Sequence, residues 1–110
     1  MNTTRYTCDE VPLGDDIATV MFDVTFTPYA AEPRTRDYPG CPAYCEIEAA
    51  EAVEIARASE NEFARRPLPG ELAALTEWFT EQLNRDTFRE SVERHCLEVA
   101  NERAAERHYA

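Results

Sequence analysis

Polar and apolar residues alternate most regularly between residues 17 and 27. Ala18, Val20, Phe22, Val24 and Phe26 fall on one side of that alternation, and Thr19, Asp23, Thr25 and Thr27 on the other. A period of two built from β-branched and aromatic residues predicts a half-buried strand. The pattern resumes at Ala43, where Cys45, Ile47 and Ala49 alternate with Tyr44, Glu46 and Glu48. Residues 49–58 read two ways. Alanine and glutamate there favour helix, whereas Val53 and Ile55 extend the alternation and carry the strand to about residue 56. Between the two strands, residues 28–42 hold Pro28, Pro33, Pro39, Gly40 and Pro42, a long proline-rich loop whose Pro39-Gly40 pair suits the centre of a type II turn. Residues 17–56 thus predict an antiparallel β-hairpin.

Helical spacing takes over at residue 70. Leu72, Leu75, Phe79 and Leu83 recur every three or four residues to about Asn84, with Trp78 beside them and a proline just ahead. A second helix opens on Thr87-Phe88-Arg89-Glu90, a capping-box pattern, and runs to about residue 108 with Phe88, Val92, Cys96, Val99 and Ala100 as its apolar stripe. Residues 1–16 carry Pro12, Gly14, Asp9, Glu10, Asp15 and Asp16 and read as an irregular lead-in. The order predicts one α+β domain over residues 1–110: a hairpin or small antiparallel sheet, then an αα-hairpin packed on one of its faces.

Length and charge narrow the function classes. A chain of 110 residues is long enough to fold around one core without covalent staples. All eleven basic residues are arginine, which excludes Schiff-base chemistry and a phosphate-loop lysine and points to a GC-rich genome. The net charge of −11 argues against general nucleic-acid binding and against anionic membrane surfaces. No apolar run reaches bilayer length, and the first residues carry no apolar signal core. These features point to a reducing bacterial cytoplasm, where the four cysteines stay as thiols.

Three features carry candidate chemistry. Cys41 and Cys45 have a spacing that zinc ligands use, and Cys8 with His95 or Cys96 could complete a tetrahedral set. Against this, Cys45 and Cys96 fall on apolar faces, where cysteine acts as a small hydrophobe; a cofactor-free chain is the leading expectation. The loop holds Tyr29, Arg34, Arg36 and Tyr38, residue types enriched at protein interfaces, although the arginines could instead bridge to Glu46 or Glu48. Tyr44, Glu46 and Glu48, continued by Glu51 and Glu54, form an acidic row that is either a solvated sheet face or an imitation of a nucleic-acid backbone. Catalysis has little support: His95 and Cys96 are adjacent on a helix and point about 100° apart, His108 lies in the terminal turn, and no known nucleophile or phosphate-loop motif is present. Trp78 and Leu97, if both exposed, would make a patch for a homodimer through the C-terminal helices.

The stretch from Val20 to Ile55 resembles small accessory proteins of tailed phages and prophages. The shared pattern is an apolar strand (Phe22–Phe26), a proline-rich loop (Pro28–Pro42) and a return strand beginning Pro42-Ala43-Tyr44-Cys45-Glu46-Ile47-Glu48. The resemblance implies a phage or prophage setting and no particular activity. Together these readings predict a non-enzymatic acidic protein that binds a protein partner with a basic surface through Tyr29, Arg34, Arg36, Tyr38, Tyr44, Glu46 and Glu48, with a small zinc module as the alternative.

Overall fold

The computed structural model describes residues 2–37, 39–60 and 64–109, and of 107–109 the backbone alone. Three antiparallel strands, β1 (Asn2–Leu13), β2 (Asp16–Tyr29) and β3 (Tyr44–Arg57), lie in the order β1-β2-β3. Two helices follow, α1 (Pro69–Gln82) and α2 (Asp86–Tyr109). The body is 58 Å long and only 19 Å across its thinnest direction. That thickness accommodates one sheet and one layer of helices, so one sheet face packs and the other meets water. The α+β class, the hairpin and the helix pair on one face all match the sequence reading.

The central strand behaves as its alternation predicts: Val20, Phe22, Val24 and Phe26 are wholly buried. Phe22 lies 4.6 Å from Phe79 and 6.2 Å from Trp78, measured between ring centres, and Phe88 meets Phe79 edge-on at 5.4 Å. Tyr6 reaches Phe88 from β1 at 6.1 Å. One aromatic group therefore ties β1, β2, α1 and α2 together through stacked, tilted and edge-on ring contacts. Leu75, Val92 and Cys96 complete the helix side of the core.

The first sixteen residues correct the reading as an irregular lead-in, since Asn2–Leu13 is a full strand. Thr4, Tyr6 and Cys8 turn inward, but Val11 and Leu13 also turn inward, which an unbroken period of two forbids. The register slips between Cys8 and Val11, where Glu10 takes a left-handed φ of 53°. This bulge shifts the phase and hides the strand from a search for continuous alternation. The hairpin to β2 turns on Gly14-Asp15; Gly14 alone has positive φ, 64°, as a type II′ turn requires. Pro12 is tolerated because β1 is an edge strand, and Pro28 because it lies beyond the point where β1 ends against Phe26.

Two further bulges shape β3. Its register against β2 slips at Glu48 and again at Val53. The inward side moves from Cys45 and Ile47 to Ala50 and Ala52, then back to Ile55. Ala49, expected on the inner face, is consequently exposed. Strand continues to Arg57, as the alternation reading of residues 49–56 held.

At the start of α1 the Glu71 carboxylate accepts the Leu68 N–H at 2.9 Å and pairs with Arg65 at 2.7 Å and Arg57 at 3.0 Å. Arg57 in turn meets Asp16, which also accepts the Ser59 hydroxyl at 2.5 Å. This cluster clamps the β1–β2 turn, the end of β3 and the start of α1 to one another. At the other end of α1, Arg89 donates to the carbonyl of Leu83 at 2.8 Å, satisfying a terminal acceptor. α2 begins at Asp86, one residue before the expected cap, so Thr87 sits in the first turn instead of capping it; its carbonyl accepts from Ser91.

The clamp makes stability depend on acid. Ser59, Ile17 and Arg57 hold the Asp16 carboxyl down to about 2 from its ordinary 3.8, and Arg65, Leu68 and Arg57 hold Glu71 at about 2 from 4.5. Both groups bind protons less readily folded than unfolded. Their stabilisation is full above pH 4.5 and drains as pH falls towards 2. Urea unfolding between these limits will show a falling midpoint. Glu71→Gln will lower stability at neutral pH by about 1–2 kcal/mol and flatten the acid decline. An acid profile unchanged by that substitution would remove the clamp from the account.

Candidate functional site

The uncovered sheet face carries the site. β3 contributes Glu46, Glu51 and Glu54, opposite Thr27, Asp23 and Met21 of β2, with the bulge residue Glu48 between them. This arrangement follows from the two bulges. Without the slip at Glu48, Glu51 would turn inward; without the slip at Val53, Glu54 would. The bulges keep Cys45, Ile47, Ala50, Ala52 and Ile55 against the helices while four glutamates stay in water. The row runs from Met21 to Thr27 of β2, six steps or about 20 Å.

Local hydrogen bonds orient part of the row. The Thr27 hydroxyl donates to Glu48 at 3.0 Å and the Tyr29 hydroxyl to Glu46 at 3.1 Å. The bond to Glu46 and that carboxylate's charge push the Tyr29 phenol above its ordinary range. Tyr29 and Tyr44 stack at 4.7 Å as the last cross-strand pair, an exposed aromatic platform at one end of the acidic row. Arg5 lies on this face and meets Asp23 at 3.4 Å across β1 and β2. Both partners are well exposed, so the pair offsets little of the field around it.

Beyond the tyrosines the loop continues as a narrow ladder. Glu32 and Cys41 exchange backbone bonds of 2.8 and 3.1 Å. Gly40, with φ of 82°, lies so close to Glu32 and Arg34 that a Cβ would come within 2.8 Å of the Glu32 carbonyl, so only glycine fits. Arg34 and Arg36 are exposed near the tip, and among the described residues neither forms an ion pair. The expected bridge to Glu46 or Glu48 is not made; those carboxylates accept from tyrosine and threonine. Tyr38 lies outside the described residues, as does the side chain of His108.

The zinc candidates are not brought together. Cys8 stands opposite Val20 and Cys45 beside Pro28, eight residues apart on β2 and so about 26 Å along the strand. Cys8, Cys45 and Cys96 are buried and Cys41 is exposed. Burial pushes the Cys8 thiol up to about 12 and Cys96 to about 11, with Asp9 adding to the first and Cys45 to the second. His95 packs edge-on against Tyr6 and points Nε2 at the Arg5 carbonyl, 2.9 Å away. A carbonyl can only accept, so that nitrogen carries the proton. Among the described residues no group of three histidine, cysteine or acidic side chains is placed to hold a metal ion. Trp78 and Leu97 are half-buried and pack against the core, and the exposed large apolar residues are Ile17, Tyr29, Tyr44 and Leu68.

Comparison with protein-family models, with curated proteins and with solved structures returns no match. No described helix is long and apolar enough to cross a membrane. What the geometry defines is an α+β protein with one helix-covered sheet face and one open acidic face.

The buried thiols supply a check on this packing. Alkylation of the native protein at neutral pH, read by mass spectrometry, will leave Cys8, Cys45 and Cys96 unmodified until denaturant is added. Rapid native labelling of any of these three would contradict their placement in the core.

Proposed function

We propose that this chain is a non-enzymatic interaction module that presents its open acidic face to a partner protein with a basic surface. The observation that carries the reading is the pair of bulges in β3, which keep four glutamates on one face with an exposed tyrosine stack at its end. A row of carboxylates about 20 Å long can occupy a groove built for phosphates, so a nucleic-acid-binding protein is the kind of partner it suits. The exposed Arg34 and Arg36 at the loop tip add a second, oppositely charged contact. The strongly shifted carboxyls, Asp16 and Glu71, are both paired with arginine in the clamp, which supports a structural and not an acid–base role for them. In keeping with the resemblance of residues 20–55 to phage accessory proteins, the partner in this proposal is a host or phage protein in the cytoplasm of a bacterium or of an infected bacterial cell.

The test compares wild type with Glu46→Gln/Glu48→Gln/Glu51→Gln and with Arg34→Glu/Arg36→Glu, each immobilised and exposed to bacterial lysate at low and raised salt. Proteins captured by wild type will be basic, will be released by salt, and will bind the glutamine variant about tenfold or more weakly. The loop variant will lose a subset of them. Identical capture by wild type and the glutamine variant would end this reading.

A further inference from the structure

The two edges of the sheet are treated differently. On the free side of β1, His95 donates to the Arg5 carbonyl at 2.9 Å and Arg103 to the Thr3 carbonyl at 2.7 Å, so side chains of α2 take up two of its outward acceptors. On the free side of β3, coverage is confined to one end. Ile55 gives its N–H to the Arg65 carbonyl and accepts the Arg65 N–H, both at 2.8 Å, facing away from β2. Ala52, Ala50, Ile47 and Cys45 stand opposite alternate β2 residues from Phe22 to Pro28, in step with Ile55 opposite Val20. Alternate residues of a strand direct their backbone groups to the same side, so these four also face outward. Among the described residues none of them has a backbone partner there. The edge is open over about 20 Å, and the isolated bridge to Arg65 shows that outward backbone groups of β3 can take an extended partner.

Two grooves lie along this edge. One, of about 430 Å³, is lined by Ala52, Val53, Arg66, Pro67 and Leu72; the other, of about 400 Å³, by Cys45, Ile47, Leu83, Arg89 and Glu93. A strand added to β3 would point one set of side chains towards Leu72, Pro67, Ile47 and Leu83, and the alternate set towards Glu46, Glu48, Glu51 and Glu54. We propose that the free edge of β3 takes up an extended segment of a partner protein as a fourth strand, its side chains alternating between apolar and basic. A second copy of this chain is the poorer occupant: pairing two β3 edges would set two glutamate rows abreast, and like charges across strands are destabilising. The basic half of the pattern rests on the acidic-face reading, whereas the strand addition rests on the unpaired backbone.

The experiment uses the full chain and a fluorescein-labelled peptide of alternating arginine and valine, roughly seven residues long to match the edge. Two further peptides carry N-methyl groups, one on every valine and the other on every arginine. Only one of these sets of N–H groups faces β3. One methylated peptide will bind about tenfold or more weakly than the parent, by anisotropy, and the other nearly as well; the Ala50 amide will gain exchange protection with the parent. Equal binding by all three peptides, weakened by Glu46→Gln/Glu48→Gln/Glu51→Gln, would overturn strand addition and leave the acidic-face reading standing. A methylation effect with no response to the glutamine variant would keep strand addition and overturn the basic pattern. Failure of the parent peptide to bind would overturn the inference.

Discussion

Phe22 sits in the middle of the central strand with Phe79 and Trp78 of one helix against its ring, while Phe88 of the other helix closes the group edge-on. Everything else in the architecture depends on this contact. It fixes both helices to the same side of β2, and with only two helices available the opposite face has no cover. The core residues of β1 and β3 then have to be delivered to the Phe22 side, whatever their position in sequence. Three bulges perform that delivery, one in β1 and two in β3. The clamp of Asp16, Arg57, Arg65 and Glu71 secures the end of this packing where the turn, the last strand and the first helix meet.

The same bulges connect core to surface. Each phase shift that returns an apolar residue to the helices also returns a glutamate to water, so the acidic row is a by-product of correct packing as much as a separate feature. Selection for a packed inner face and an acidic outer face is satisfied by one pair of backbone irregularities. The edges follow a similar economy of parts. α2 is long enough to pass β1 and take up two of its outward carbonyls, but β3 receives only the short segment around Arg65. A row of carboxylates beside the open edge discourages pairing between copies of the chain.

How much of this was legible in the sequence varied with the regularity of each segment. β2 was plain because its apolar residues recur at every second position from Ala18 to Phe26, with Met21 the one apolar residue on the other side. The helices were plain from the spacing of Leu72, Leu75, Phe79 and of Phe88, Val92, Cys96, although Asp86 and not Thr87 opens the second. β1 was not seen: Asp9-Glu10 breaks its phase, Pro12 reads as a loop residue, and its inward side begins with Thr4. A signal was present in Gly14-Asp15 between two alternating runs, a two-residue hairpin turn. In β3 the strand was legible, but the bulges were not, because a residue such as Ala49 packs acceptably on either face. Tyr44, Glu46 and Glu48 were found from alternation, but Tyr29 reads as a loop residue and its stacking on Tyr44 needed the register of β2 against β3. The pairing of Asp16 with Arg57 and of Glu71 with Arg65 needed tertiary structure, since turn, strand and helix meet there from distant parts of the chain.

The central claim is that β3 leaves its outer edge available beyond Ile55, next to an acidic face. Amide hydrogen exchange on the isolated protein tests it most directly, because outward N–H groups on a single strand differ only in whether something covers them. The account predicts that the Ile55 amide, bonded to Arg65, exchanges slowly, while the Ala50 amide on the same side of β3 exchanges fast. Protection of Ala50 equal to that of Ile55 would mean that the edge is already occupied, and would contradict the account.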